Sequence, residues 1–216
     1  MITDERLQTY FDLIMQANFY IDEYVRLIFS GDDRAERVKL ILTPFIGREV
    51  EIRDVRVEFP IDSIGGRGIR MDVCAVDESG STFDVEFQRD SSGAHPHRAR
   101  FNSAMIDAHY PLKGVPTNDL RLPETYVLFF TERDYFERGK AFYTIERKVT
   151  ELDNELFNDG SHIIFINGEY DDTSTRAGQI IHDLRTAKSS EMLVPEIAEW
   201  TRDLKETEEG KDMLSA

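Results

Sequence analysis

The chain has 216 residues, 26 basic and 42 acidic, for a formal charge of −16. Apolar residues make up 40% and aromatic residues 11%, which excludes disorder of the whole chain; no apolar run approaches the ~20 residues that span a bilayer. The single cysteine, Cys74, excludes an internal disulfide and a multi-cysteine zinc site. The start, MITDERLQTYFDL, lacks the apolar stretch of a secretory signal, so a soluble cytoplasmic protein is expected. A polyanion binder over the whole surface is not expected, because each phosphate contact calls for a Lys or Arg. Any nucleic-acid role must use a locally basic patch.

In chain order, residues 5–16, 20–29 and 34–43 carry apolar residues at three- and four-residue spacing and predict three helices. Residues 49–59 alternate roughly as a strand does, and IDSIGGRG at 61–68 is a Gly-rich loop. That loop lacks the GK[ST] ending of a phosphate loop and serves to turn the chain. Strands over 69–76 and 81–88 flank DESG. Pro96 suits the first position of a helix over 96–110. TYVLFFT at 125–131 is apolar throughout, as a strand buried on both faces is. Further strands are expected at 140–148 and 162–167, and helices at 174–188 and 191–207, where Trp200 reads as a packing residue. The expected fold class is α/β or α+β, with a mixed central sheet in a single domain over 1–216 and helical segments at 1–45 and 174–210.

The hairpin at 69–88 carries the chemistry. Successive strand side chains point to opposite faces. A three-residue loop, Glu78-Ser79-Gly80, with Gly80 in the left-handed region, is a common hairpin form. It makes Met71 face Phe87, Val73 face Val85 and Ala75 face Phe83, one consistent apolar face; a two-residue loop would pair apolar with polar positions. On the other face Arg70 meets Gln88, Asp72 meets Glu86, and Cys74 meets Asp84. Two carboxylates directly opposite each other repel. Solvent, a proton or a cation must answer that repulsion, and Mg2+ is content with one or two carboxylates, several waters and phosphate oxygens. Gln88, on the same face, is placed to orient a water or a phosphate. A merely solvated polar face is the other reading of the hairpin. Asp84 reads as peripheral.

The spacing of Asp72 and then Glu86-Phe87-Gln88 resembles the PD-(D/E)XK nuclease core, in the variant where Gln replaces the final Lys. GIRMDVCAVDESGSTFDVEFQ, HRARFNSAMIDAHYPLKG, YVLFFTERDYFERGKAFYTIE and DGSHIIFINGEYDD, together about residues 65–172, resemble the PD-(D/E)XK nuclease family transposases, the recombination-promoting nucleases. The resemblance implies a restriction-endonuclease-like core that cuts DNA with Mg2+, or Mn2+ in its place. It implies Asp72 and Glu86 as metal carboxylates, the backbone carbonyl of Phe87 as an extra ligand, and Gln88 where a water-orienting Lys usually stands. Position 71, usually Pro, is Met71 here.

Residues 89–113 carry Arg89, Arg98, Arg100 and Lys113 against Asp90 and Asp107, a local charge of +2. On the 96–110 helix Arg98, Phe101 and Met105 share one side and Arg100 lies opposite, so the two arginines cannot both face one ligand. Arg98 near the helix N-terminus suits a phosphate. Arg67, Arg98, Arg100 and His97 are the candidate nucleic-acid contacts, and Phe101 and Met105 are expected in the core. His95 and His97 have no recognisable third zinc ligand nearby.

The sequence therefore points to a Mg2+-dependent DNA endonuclease of low sequence specificity, since no separate DNA-reading module is present. The alternative is a catalytically inactive nuclease-fold protein that binds a protein partner, which the acidity favours. A metal-dependent hydrolase of a small phosphate ester is a weaker third. A homodimer would allow double-strand cuts, and nothing in the sequence requires one.

Overall fold

The computed structural model describes residues 4–63, 66–90, 93–111, 114–208 and 210; the expectations that rest on Gly65 and Lys113 lie outside them. Three helices come first: α1 (Asp4–Gln16), α2 (Asp22–Ile28) and α3 (Arg34–Ile46). In α3 the buried residues Val38, Ile41, Leu42 and Phe45 fall at three- and four-residue steps, the spacing that lines one side of a helix. The chain continues through β1 (Ile52–Ile61), β2 (Ile69–Asp77), β3 (Thr82–Gln88), α4 (Pro96–His109) and β4 (Thr125–Thr131). It ends through β5 (Phe142–Ile145), a two-residue pair β6 (Lys148–Val149) and β7 (Glu155–Leu156), then β8 (Ser161–Asn167), α5 (Arg176–Arg185) and α6 (Pro195–Glu206). The expected strand at 140–148 is thus shorter, because residues 146–147 leave the sheet before β6 pairs with β7. Among the described residues no helix is long and apolar enough to cross a membrane.

The fold is mixed α/β. Six strands form one sheet in the order β1-β2-β3-β4-β8-β5. β1 pairs with β2, and β2 with β3, in antiparallel fashion; β3, β4 and β8 are parallel, and β5 is antiparallel on the edge. All seven residues of β4 are buried, because both faces of the sheet are covered. Against one face pack the terminal helices, with Phe83, Val85, Phe87, Leu128, Phe130 and Ile166 from the strands. The other face carries α4 and a smaller cluster that includes Ala99, Ile106, Val127, Phe129 and Phe165.

The hairpin register is as expected where the two strands pair: Val73 faces Val85, Cys74 faces Asp84, Ala75 faces Phe83 and Val76 faces Thr82. Gly80 takes φ 89°, as the three-residue loop requires. Beyond Val73 and Val85 the expectation fails, because the ladder stops there. β2 stays with β1 through Met71, Arg70 and Ile69, while β3 stays with β4 through Glu86, Phe87 and Gln88. The sheet forks at Asp72 and Glu86. Next to Asp72 on β1, Glu58 holds φ 49°, a left-handed conformation that costs a non-glycine residue about 1 kcal/mol or more. The alternation changes hands at this kink. Val57 and Val73 pack on the helical side, whereas Phe59 and Met71 pack with the α4 cluster. Met71 therefore does not face Phe87, contrary to the simple alternation.

Candidate functional site

The fork opens a gap in the hydrogen-bonded ladder, and a side chain fills it. Asp72 Oδ2 accepts the backbone N–H of Phe87 at 2.9 Å. Asp72 thus meets β3 through its carboxylate and not as a strand partner of Glu86. Glu86, on β3, turns to the α4 side, and so does Asp84 two residues earlier. Both are fully buried, at 0% exposure, which overturns the peripheral placement of Asp84.

Helix α4 is built to meet them. Pro96 occupies its first turn, and the His95 ring nitrogen Nδ1 caps it by accepting the N–H of His97. Residues four apart on a helix are separated by about 6 Å along the axis, close to the roughly 7 Å between residues two apart on a strand. Arg98 and Asn102 therefore reach Glu86 and Asp84 respectively. Arg98 Nη2 forms an ion pair with Glu86 Oε2, its Nη1 donates to the Gly93 carbonyl at 3.0 Å, and its guanidinium lies 5.5 Å from the centre of the Phe129 ring. Asn102 Nδ2 donates to Asp84 Oδ2 at 2.8 Å. Gln88 Nε2 donates to Glu86 Oε2 at 3.0 Å. A Cβ on Gly93 would stand 2.1 Å from Gln88 Oε1, so a side chain there would displace the Gln88 amide.

One oxygen of each buried acid is left over. Asp84 Oδ1 and Glu86 Oε1 are buried and meet no protein donor. Asp84 is among the groups that hold the Glu86 proton on. Burial pushes the carboxyl of Glu86 far above its ordinary range, and the charges of Asp84 and Asp72 push the same way; Arg98 opposes them. Burial likewise raises Asp84, against the pull of Asn102. It raises Asp72 too, opposed by the Phe87 N–H and reinforced by Asp22 at the start of α2. Three acids around one arginine make a cluster that holds protons as a unit.

A cation can replace those protons. Among the described residues no three His, Cys, Asp or Glu side chains converge on a ready-made metal position. Mg2+ asks for less: one or two carboxylates, with water and phosphate oxygens completing its shell. The unpartnered oxygens of Asp84 and Glu86 are donors of the kind such an ion takes, whereas Asp72 Oδ2 is occupied by the Phe87 N–H. The side chain of Phe87 is in the core on the opposite face.

Arg98 also leads outward. With Asn102 it lines a cleft of about 530 Å3, whose other walls include Arg67, Ile69, Arg70, His97 and Phe101. Three arginines and a histidine line this cleft with no acidic residue among the described lining, in a chain of charge −16. Gly68 fixes one wall, since a Cβ there would stand 2.7 Å from the Ile61 carbonyl oxygen.

The structure thus brings together Asp72, Glu86, Gln88, Arg98, Arg67 and His97. It does not bring in Arg100, whose side chain is exposed on the other side of α4. Phe101 was expected in the core and is 37% exposed; the buried side of α4 runs instead through Ala99, Asn102, Ser103 and Ile106. Asn102 went unread in the sequence, and Asp84 was read as peripheral. The signal for them was the pair of polar residues four apart on a helix that follows two acids two apart on a strand. Comparison with protein-family models, with curated proteins and with solved structures gave no match.

Proposed function

We propose that this chain is a metal-dependent DNA endonuclease with a restriction-endonuclease-like core, of the PD-(D/E)XK type that its sequence resembles, acting in the cytoplasm. The observation that carries the reading is the junction at Arg98. This one side chain lines an acid-free cationic cleft and touches a buried glutamate that has an unpartnered oxygen. A cationic cleft in a strongly acidic protein selects a polyanion, and buried carboxylates with a spare oxygen select a divalent cation.

In this reading Asp72, Glu86 and the Phe87 carbonyl would hold Mg2+ or Mn2+, which would supply charge to polarise the scissile phosphate and lower the pKa of a bound water. The protein's own residues do the rest. Arg67, Arg98 and His97 hold the phosphates, and Arg98 neutralises charge that grows on the scissile group. Asn102 keeps Asp84 in place beside Glu86. Gln88 orients the attacking water through its amide and can neither accept a full proton nor supply a charge.

A second reading, an inactive nuclease-fold protein that binds a partner, draws on the contact of Arg98 and Gln88 with Glu86 Oε2, which fills one side of that carboxylate. The two unpartnered oxygens weigh against it, since an inactive descendant has no reason to bury acids without donors. Plasmid cleavage in Mg2+, Mn2+ or EDTA separates the two. The nuclease reading expects metal-dependent nicking that is lost in both Asp72→Ala and Glu86→Ala. Wild-type protein that leaves plasmid intact in either metal would favour the inactive reading.

A further inference from the structure

The cleft beside the carboxylates is not uniformly polar. Phe101 stands one helical turn beyond Arg98 on the same side of α4, is 37% exposed and lines the cleft. Among the described residues no aromatic ring or arginine packs on it. Ile69, half-buried, lines the same space. Arg67, Arg70, His97 and Arg98 supply positive charge around these two apolar groups. At about 530 Å3 the cleft is in the size range that takes a small-molecule ligand, and a nucleobase with its sugar is of that class.

An exposed phenylalanine ringed by arginines has one partner in nucleic-acid chemistry, the flat face of a base. In duplex DNA that face is covered by the neighbouring base pairs. It becomes available when the base is unpaired and unstacked. Arginine on the same wall holds the flanking phosphates and can stack as well. Arg98 links the cleft to Glu86, so a base on Phe101 would bring its flanking phosphate to Arg98. Resting on the nuclease reading, we propose that Phe101 is a base-stacking platform and that the preferred substrate is single-stranded DNA, or an unpaired segment of a duplex.

The test is binding without catalysis. Fluorescence anisotropy in EDTA compares a short labelled single-stranded oligonucleotide with the same sequence as a blunt duplex. Wild-type protein is expected to bind the single strand at least tenfold more tightly. Phe101→Ala is expected to lose about tenfold of single-strand affinity, in line with what one stacked base contributes, with duplex affinity unchanged. Phe101→Leu keeps apolar bulk without a ring and is expected to behave like Phe101→Ala, whereas Phe101→Trp retains the strand preference. Equal or tighter binding of the duplex would overturn the proposal. So would a Phe101→Leu variant that binds single strands as wild type does, which would make the residue a packing group or a site for a protein partner. Because no metal is present, the outcome is separate from the nuclease reading. Strand preference with no cleavage in Mg2+ removes the nuclease alone, and cleavage with no strand preference removes the platform alone.

Discussion

Strand β3 shows two ways to bury a residue. Toward the terminal helices it sends Phe83, Val85 and Phe87, which join the larger apolar core, with Phe87 stacked on Phe130 at 5.0 Å between ring centres. Toward α4 it sends Asp84 and Glu86, equally buried, with two donors on one oxygen of Glu86, one on an oxygen of Asp84, and none on the others. Burial of the first set is favourable at about 25 cal/mol per Å2 of apolar area. Burial of the second set costs free energy unless every polar atom finds a partner. One face holds the fold together, and the other keeps an unmet demand for a proton or a cation.

The largest effect that follows is on the apolar face. Phe87→Ala is expected to cost about 3–5 kcal/mol in a denaturant melt, whereas Glu86→Gln, which resembles the protonated acid, is expected to change metal-free stability by less than about 1 kcal/mol at neutral pH. Equal losses from the two would erase the contrast between the faces. Next comes Asn102→Ala, expected to cost about 1–3 kcal/mol because Asp84 Oδ2 loses its donor in the interior; Asp84→Asn in the same background should recover part of that loss.

The acid pair also fixes the sign of a pH dependence. The folded cluster retains protons that the unfolded chain gives up in the ordinary carboxylate range near ~4. Its stabilising contribution is therefore complete below that range and is lost as pH rises toward the raised folded values. Metal-free stability should fall with rising pH by about 1.4 kcal/mol per pH unit for each proton retained. Thermal melts in EDTA across pH should show that fall in wild type, and a shallower one in Asp84→Asn/Glu86→Gln. A smaller and sharper comparison lies between the two arginines of α4. Arg98→Ala should abolish plasmid nicking, and Arg100→Ala should leave it within about twofold, as expected for an exposed side chain away from the site.

Much of this was legible in the sequence. The helix spacing, the apolar run at 126–130 in β4 and the turn at Gly80 each follow from a local rule, and the structure keeps all three. The pairing of Asp72 with Glu86 was legible only in part. Alternation placed the two acids together, but it assumes that paired strands stay paired, and the kink at Glu58 and the fork that follows break that assumption. Phe101 and Asp84 exchanged roles for a related reason. Residue type argues for Phe inside and Asp outside, whereas the approach of α4, set by Ala99, Ser103 and Ile106 on its buried side, turns Asn102 toward Asp84 and leaves Phe101 at the cleft. On α4 the buried side is too weakly apolar for residue type alone to show how the helix is rotated.

The most direct measurement is Mn2+ binding by calorimetry, with wild type, Asp72→Asn and Glu86→Gln compared at one pH. The account predicts that wild type binds Mn2+ with release of protons, and that each variant loses that binding while its fold persists by circular dichroism. Wild-type protein that takes up no Mn2+, or variants that bind it as well as wild type does, would contradict the claim that these buried carboxylates await a metal.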